Sequence, residues 1–374
     1  MIIADKSEHQ RQPGIFHLSF ILRAKSYHSS ANMKTSAKDN STGEMTEDVP
    51  DGPLIDTTAA LSLHSKRTER RQKKRHRKAS KQQATLLDLP SEIILQIIYF
   101  LNPSDIFNLS RTSKGLHQFI NSETSRIAAN VITSRYPVIT QCFPLPILLR
   151  NVDQEAHAAL LDDERQITHL HIHKKPYQHV LPPDPNVICT CLTCILAWNN
   201  LCVIIDFAFW QDNLEKGEPV TMIGRGEVPR WNQELITANA LIVQKALRNP
   251  LWYARILEQH LKTTVASIRR HSNNSGNKRR RFRMAPEDVA VENDEFLKRS
   301  GPPSMDFPFH RDNYYMLEAY LPNRGWNSEA GEWRYMSAMQ HERDVEFVKA
   351  WARRKEEARR EVCDGEGKDE MQAS

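Results

Sequence analysis

Residues Pro185 to Ile205 carry no charged side chain over 21 consecutive positions. A stretch of that length either crosses a bilayer or lies in a protein core. Leu192, Ile195, Leu196, Val203, Ile204 and Ile205 suit both destinations. Asn199-Asn200 near the middle and Asp206 at the end favour the core, as does the apolar continuation through Phe207, Phe209 and Trp210. The run therefore predicts a buried helix of a soluble domain, and no membrane partner is expected.

The sequence on either side of this run changes character several times. Residues 1–85 contain Phe16, Phe20 and Tyr27 as their aromatic residues and no Trp. So little apolar surface does not offset ordering entropy, and a disordered basic N-terminal region is expected. Its apolar stretch Gly14 to Leu22 is short, is interrupted by His17, and lacks a small-residue cleavage site, so a secretion signal is not expected. Between 126 and 266 helical spacing dominates. Leu235, Ala238, Leu241, Ile242 and Ala246 recur at three and four, and Asn249-Pro250 closes that helix and opens another. On the second helix Leu251, Trp252, Ile256, Leu257, Leu261, Val265 and Ile268 share a face. Alternation over Ile167 to His173 suggests one strand. Residues 267–304 read as a charged linker, 305–337 as an aromatic-rich segment packing on the body, and 338–374 as a charged helix and tail. The fold class expected is mostly α with minor β content.

The segment Leu86 to Ile120 has the most specific pattern. Pro90 suits a first helical turn, Glu92 faces the positive end of the helix dipole, and Ile93, Ile94, Ile97, Ile98 and Leu101 form a wide apolar stripe. Asn102-Pro103-Ser104-Asp105 breaks and recaps the chain, with Asn102 or Ser104 as cap. Ser113 caps a third helix carrying Leu116, Phe119 and Ile120. A unit of about 36 residues cannot bury this much Ile and Leu alone, so part of the surface should face a partner or the rest of the chain.

With Leu89-Pro90, Glu92-Ile93, Ile97, Leu101, Asp105, Leu109 and Thr112-Ser113-Lys114 at these spacings, the segment resembles an F-box. The resemblance implies a small three-helix F-box at about 86–125. It would dock on the Skp-type adaptor of a cullin–RING ubiquitin ligase through Leu89, Pro90, Ile93, Ile97, Leu101, Asp105 and Leu109. The remainder resembles, less specifically, bodies of F-box proteins from filamentous fungi. That likeness lies in Trp198-Asn199-Asn200-Leu201, Asp206-Phe207, the run Phe309 to Tyr315 and Glu318-Ala319-Tyr320-Leu321-Pro322.

Cys191 and Cys194 have the two-residue gap of a zinc knuckle, with Cys189, Cys202 or His179 to complete it, yet a second such pair is missing. With apolar Ile188, Leu192, Ile195 and Leu196 around them, buried neutral thiols are expected and no metal or cofactor. His169, His171 and His173 alternate without a carboxylate at matching spacing, which suggests an exposed polar face. The formal charge is +5, but residues 66–81 hold ten Lys/Arg against one Glu, and residues 278–283 hold five more, so the rest of the chain is acidic. That distribution excludes a uniformly basic nucleic-acid coat. Within the first run, Lys73, Lys74, Arg75, Arg77 and Lys78 are a nuclear-import candidate, and a nuclear or cytoplasmic location is expected. Nucleophile-elbow, P-loop, zinc-protease and dinucleotide fingerprints are absent from the sequence.

The function expected is a non-catalytic adaptor that holds an unknown protein substrate near the ligase. The alternatives are a nuclear nucleic-acid-binding protein using the basic runs, and a zinc-dependent or Cys-nucleophile enzyme built on Cys189 to Cys202.

Overall fold

A computed structural model describes residues 66–79, 86–167, 178–224, 226–273, 284–299, 310–337 and 339–372. These residues fall in two units, one up to Ser91 and one from Glu92 onward. In the smaller unit, α1 spans Lys66–Ala79, and a single 3₁₀ turn covers Leu86–Asp88. Within the N-terminal region expected to be disordered, Lys66–Ala79 is helical. Arg, Lys, Gln and Glu are straight-chained and lose little rotamer freedom in a helix, so propensity alone favours the conformation where no core does.

The described residues of the larger unit are mainly helical, with one hairpin and an isolated bridge between Leu148 and Ile188. Helices α2 (Ser91–Tyr99), α3 (Pro103–Ser110), α4 (Lys114–Ser122) and α5 (Thr124–Arg135) follow in close succession. Ser113 caps α4 by accepting the Leu116 N–H at 3.2 Å, as its sequence position suggests. Asn102 occupies the N-cap of α3 but makes no side-chain cap; its Oδ1 accepts from Arg135 instead. Short helices α6 (Ile139–Cys142), α7 (His157–Leu160) and α8 (163–167) lead to the central helix α9 (Leu192–Phe209). Ile167, the first residue of the proposed strand, is helical, and the rest of that strand, with His169, His171 and His173, lies outside the described residues.

Helix α9 takes up the uncharged run from Leu192 and continues through Asp206, and it is buried along most of its length from Cys194 to Phe207. Trp198 is enclosed and donates its indole N–H to the Leu181 carbonyl at 2.8 Å. After α10 (Gln211–Lys216), α11 (Arg230–Arg248) and α12 (Pro250–Asn273) pack against α9 and each other. Asn249 Oδ1 accepts the Leu251 N–H at the start of α12. Leu241, placed on the inner face by its spacing, is exposed; Leu235, Ile236, Val243 and Ala246 point inward instead.

Helix α12 also packs on α3 and α5, so it joins the first helices to the body. Within the stretch read as a linker, α12 continues to Asn273, and α13 (Pro286–Ala290) and α14 (Phe296–Arg299) are ordered on the body. Phe296 and Leu297 are buried, and Asp294 accepts the Val138 and Ile139 N–H groups that open α6. Lys278 to Arg281 lie outside the described residues.

Two strands, β1 (Arg324–Asn327) and β2 (Glu332–Tyr335), pair antiparallel with Trp326 opposite Trp333. Gly331 closes their turn at φ +64°, a conformation that disfavours a side chain. Helix α15 (Gln340–Gln372) follows, with Val345 and Val348 buried.

Candidate functional site

Three places combine exposure, charge or ligand chemistry in ways that packing alone does not require. The first is the outer face of α2. A helix buried on one side normally presents polar residues on the other. Here Ile94, Leu95 and Ile98 turn into the core, while Ile93 and Ile97 remain 41% and 38% exposed and Phe100, just past the helix, 81% exposed. The stripe read from the sequence is thus divided between two faces. Asp105 is exposed, whereas Leu101 and Leu109 are half-buried and pack against the core. In the smaller unit Leu89 and Pro90 are exposed.

Behind this face the first helices are held by a carboxylate from α12. Glu258 accepts the Ser104 N–H and hydroxyl at 2.8 and 2.7 Å, Arg255 Nη1 at 2.6 Å and Lys262 Nζ at 2.6 Å. Burial works to raise its pKa, but the Arg255 and Lys262 charges and these hydrogen bonds outweigh it, and the carboxyl is held below its usual range.

The second place is a buried ionic knot on α9. Asp206 is completely enclosed and accepts from Arg311 Nε at 2.8 Å, Arg311 Nη2 at 3.0 Å and Tyr314 Oη at 2.8 Å. The Arg311 guanidinium also lies over Trp210 and Trp231, 5.2 and 5.6 Å from the ring centroids. Phe207, next in sequence, stacks on Tyr320 with centroids 4.4 Å apart. The separate runs around Asp206 and Arg311, quoted above for their resemblance to F-box protein bodies, therefore meet in one core. Arg311 Nε, Arg311 Nη2 and Tyr314 Oη are all directed at Asp206 in the interior, which makes the knot a structural clamp.

The third place surrounds the N-terminus of α9. Cys189, Cys191, Cys194 and His341 bring their ligand atoms within 4.8 Å of one another. Cys191 is the N-cap of α9, and the turn from Cys189 to Cys194 aims all three sulfurs at one point. His341, from the first turn of α15, places Nδ1 3.4 Å from both the Cys191 and the Cys194 sulfur. Each sulfur accepts one backbone N–H: Cys189 from Cys191 at 3.4 Å, Cys191 from Cys194 at 3.5 Å, and Cys194 from Ile147 at 3.4 Å. As thiols, the Cys191 and Cys194 S–H groups donate toward Cys189 and hold it far below the ordinary thiol range. The same contacts, with burial, push Cys194 up.

The two partners that the sequence offered for this cluster lie elsewhere. Cys202 is further along α9, where burial and the nearby Asp206 raise its thiol, and His179 packs edge-on to Tyr314. Spacing did not point to His341, because it is 147 residues beyond Cys194; its position three residues before Asp344 on an amphipathic helix start was the available signal. Beside the cluster a recess of about 550 Å³ is lined by Leu192, Leu196, Asn323, Met336, Gln340 and Asp344.

On α1, Lys73 and Lys74 are exposed, and the backbone of Arg75, Arg77 and Lys78 continues the same helix.

Residues 86–127 match the F-box domain family. No curated protein and no solved structure matches the chain.

Proposed function

We propose, from the premise that this chain carries an F-box domain at residues 86–127, that it is the substrate-recognition adaptor of an SCF-type cullin–RING ubiquitin ligase. The observation that supports this most directly is the apolar outer face of α2, where Ile93, Ile97 and Phe100 lie outside the core. An apolar face exposed among the described residues suits protein docking. In this reading Leu89, Pro90, Ile93, Ile97, Leu101, Asp105 and Leu109 contact the Skp-type adaptor. The chain itself performs no chemistry: it keeps a bound substrate near the charged ubiquitin donor and so raises the effective concentration of a substrate lysine. Attachment of α3 to α12 through Glu258 supports transmission of a fixed geometry from the F-box to the body.

The substrate is a protein held by the body, and the recess lined by Leu192, Leu196 and Gln340 is our choice for its contact. The basic helix α1 serves nuclear import in this reading. The test is co-purification of the full chain with the Skp adaptor. Replacing Leu89, Pro90 and Ile93 together by Ala is expected to abolish the complex and leave the body folded; a folded triple variant that still binds would remove the adaptor reading.

A further inference from the structure

We propose that Cys189, Cys191, Cys194 and His341 bind one structural zinc ion that fastens the C-terminal helix α15 to the start of α9.

The donor set suits the metal. Thiolate and imidazole are the ligands of tetrahedral structural zinc, and three cysteines with one histidine complete its coordination with no position left for substrate. The spacing of the atoms suits it as well. Zinc–sulfur and zinc–nitrogen bonds of about 2.3 and 2.0–2.1 Å at tetrahedral angles separate the two donor types by about 3.6 Å. His341 Nδ1 stands 3.4 Å from two of the sulfurs.

The surroundings are those of a metal thiolate centre. Every sulfur receives a main-chain N–H, and such hydrogen bonds favour the charged form that ligates. Three thiolates and one zinc ion leave a single negative charge. The buried Arg165 guanidinium, whose charge interacts with Cys191 and Cys189, supplies the opposite sign; it is fixed by the Thr190 hydroxyl at 2.8 Å and the Thr190 carbonyl at 2.6 Å. The helix that carries the histidine is also held from outside the cluster. Asp344, one turn along α15, accepts the Thr193 N–H and hydroxyl at 2.8 and 2.6 Å, which sets α15 against the first turn of α9.

Buried neutral thiols account well for Cys142 and Cys202, each enclosed in the main core and each raised by burial. They account poorly for three sulfurs and an imidazole converging in a small separate apolar cluster. Among the described residues, the buried apolar members of that cluster besides the three cysteines are Leu149, Ala156, Ala159, Leu160, Val345 and Val348, with a rim of partly buried residues, and a core of that size is weak without a further tie.

The test is elemental analysis of the purified full chain, with thermal melting before and after a strong zinc chelator. We expect about one zinc per chain and a lower melting temperature after chelation. Cys194→Ser and His341→Ala should each lose most of the zinc, while Cys202→Ser keeps it. Limited proteolysis should release α15 from chelated protein and from His341→Ala. Should the variants fail to fold, cobalt titration of the metal-stripped wild type decides: one equivalent with the intense absorption of a tetrahedral thiolate complex supports the site. Folded wild type that carries under a tenth of an equivalent of zinc, takes up no cobalt and melts unchanged with chelator would overturn the proposal, as would a disulfide among the three cysteines.

Discussion

Arg311 lays its guanidinium along the carboxylate of Asp206, with Nε 2.8 Å from one oxygen and Nη2 3.0 Å from the other, inside a core from which both are shielded. Burial alone would lower the Arg311 pKa; the Asp206 charge outweighs it and raises the value. The pair joins residues 105 positions apart and pins the segment after residue 310 onto α9.

Removing one member of such a pair leaves the other charge buried. Asp206→Ala and Arg311→Ala are each expected to destabilise the fold by about 3–5 kcal/mol, and an apolar replacement of both together to cost far less than the sum. Urea unfolding of the two single variants and the double variant measures this; additive costs would refute the coupling.

Acid sensitivity should come in part from His260. Burial lowers its pKa to about 4, outweighing the bond that Nε2–H donates to the Tyr320 carbonyl at 2.6 Å, so the core accepts the neutral ring. The folded value lies below the unfolded value of about 6.5, so the contribution is full above about pH 6.5 and is lost as pH falls toward 4. The gap corresponds to about 3 kcal/mol. Unfolding midpoints measured from pH 7.5 downward should fall, and His260→Gln should flatten that decline. An equal slope in the variant would count against this assignment.

Neighbouring isoleucines of α2 should give opposite results. Ile98 is fully buried, and Ile98→Ala is expected to cost about 2–5 kcal/mol. Ile97→Glu should leave the melting temperature nearly unchanged and remove adaptor binding. Calorimetry paired with a pull-down separates the two, and loss of stability in Ile97→Glu would show that its side chain serves the fold.

Glu258 should govern the local stability of α3. Glu258→Ala removes the acceptor of the Ser104 N–H and hydroxyl, and amide hydrogen exchange in Pro103–Ser110 is expected to rise more than in α11. Equal exchange in α3 before and after the change would make the contact incidental.

The import reading of α1 is checked by replacing Lys73, Lys74, Arg75, Arg77 and Lys78 with neutral residues in a fluorescent fusion of the full chain. We expect nuclear signal to fall; an unchanged distribution would leave α1 as a solvated helix.

Local chemistry was legible from the sequence alone. The helix-start at Pro90, the break at Asn102-Pro103, the Ser113 cap and the apolar density of α9 are short-range signals, and the F-box resemblance and mostly helical class rest on them. Local spacing left open which side of α2 faces inward, because Ile93, Ile94, Ile97 and Ile98 are equally apolar, and the tertiary core that takes in Ile94, Leu95 and Ile98 fixes the rotation. The helix at Lys66–Ala79 follows from the opposite cause, propensity without burial, since its straight-chained Arg, Lys, Gln and Glu favour a helix where no core does. Asp206 with Arg311, Ser104 with Glu258, and Cys194 with His341 were beyond reach, since each pair is more than 100 residues apart. Periodicity reports which face a residue occupies on its own helix. Which distant residue meets it depends on how the helices cross, and that is set by the packing of the whole core.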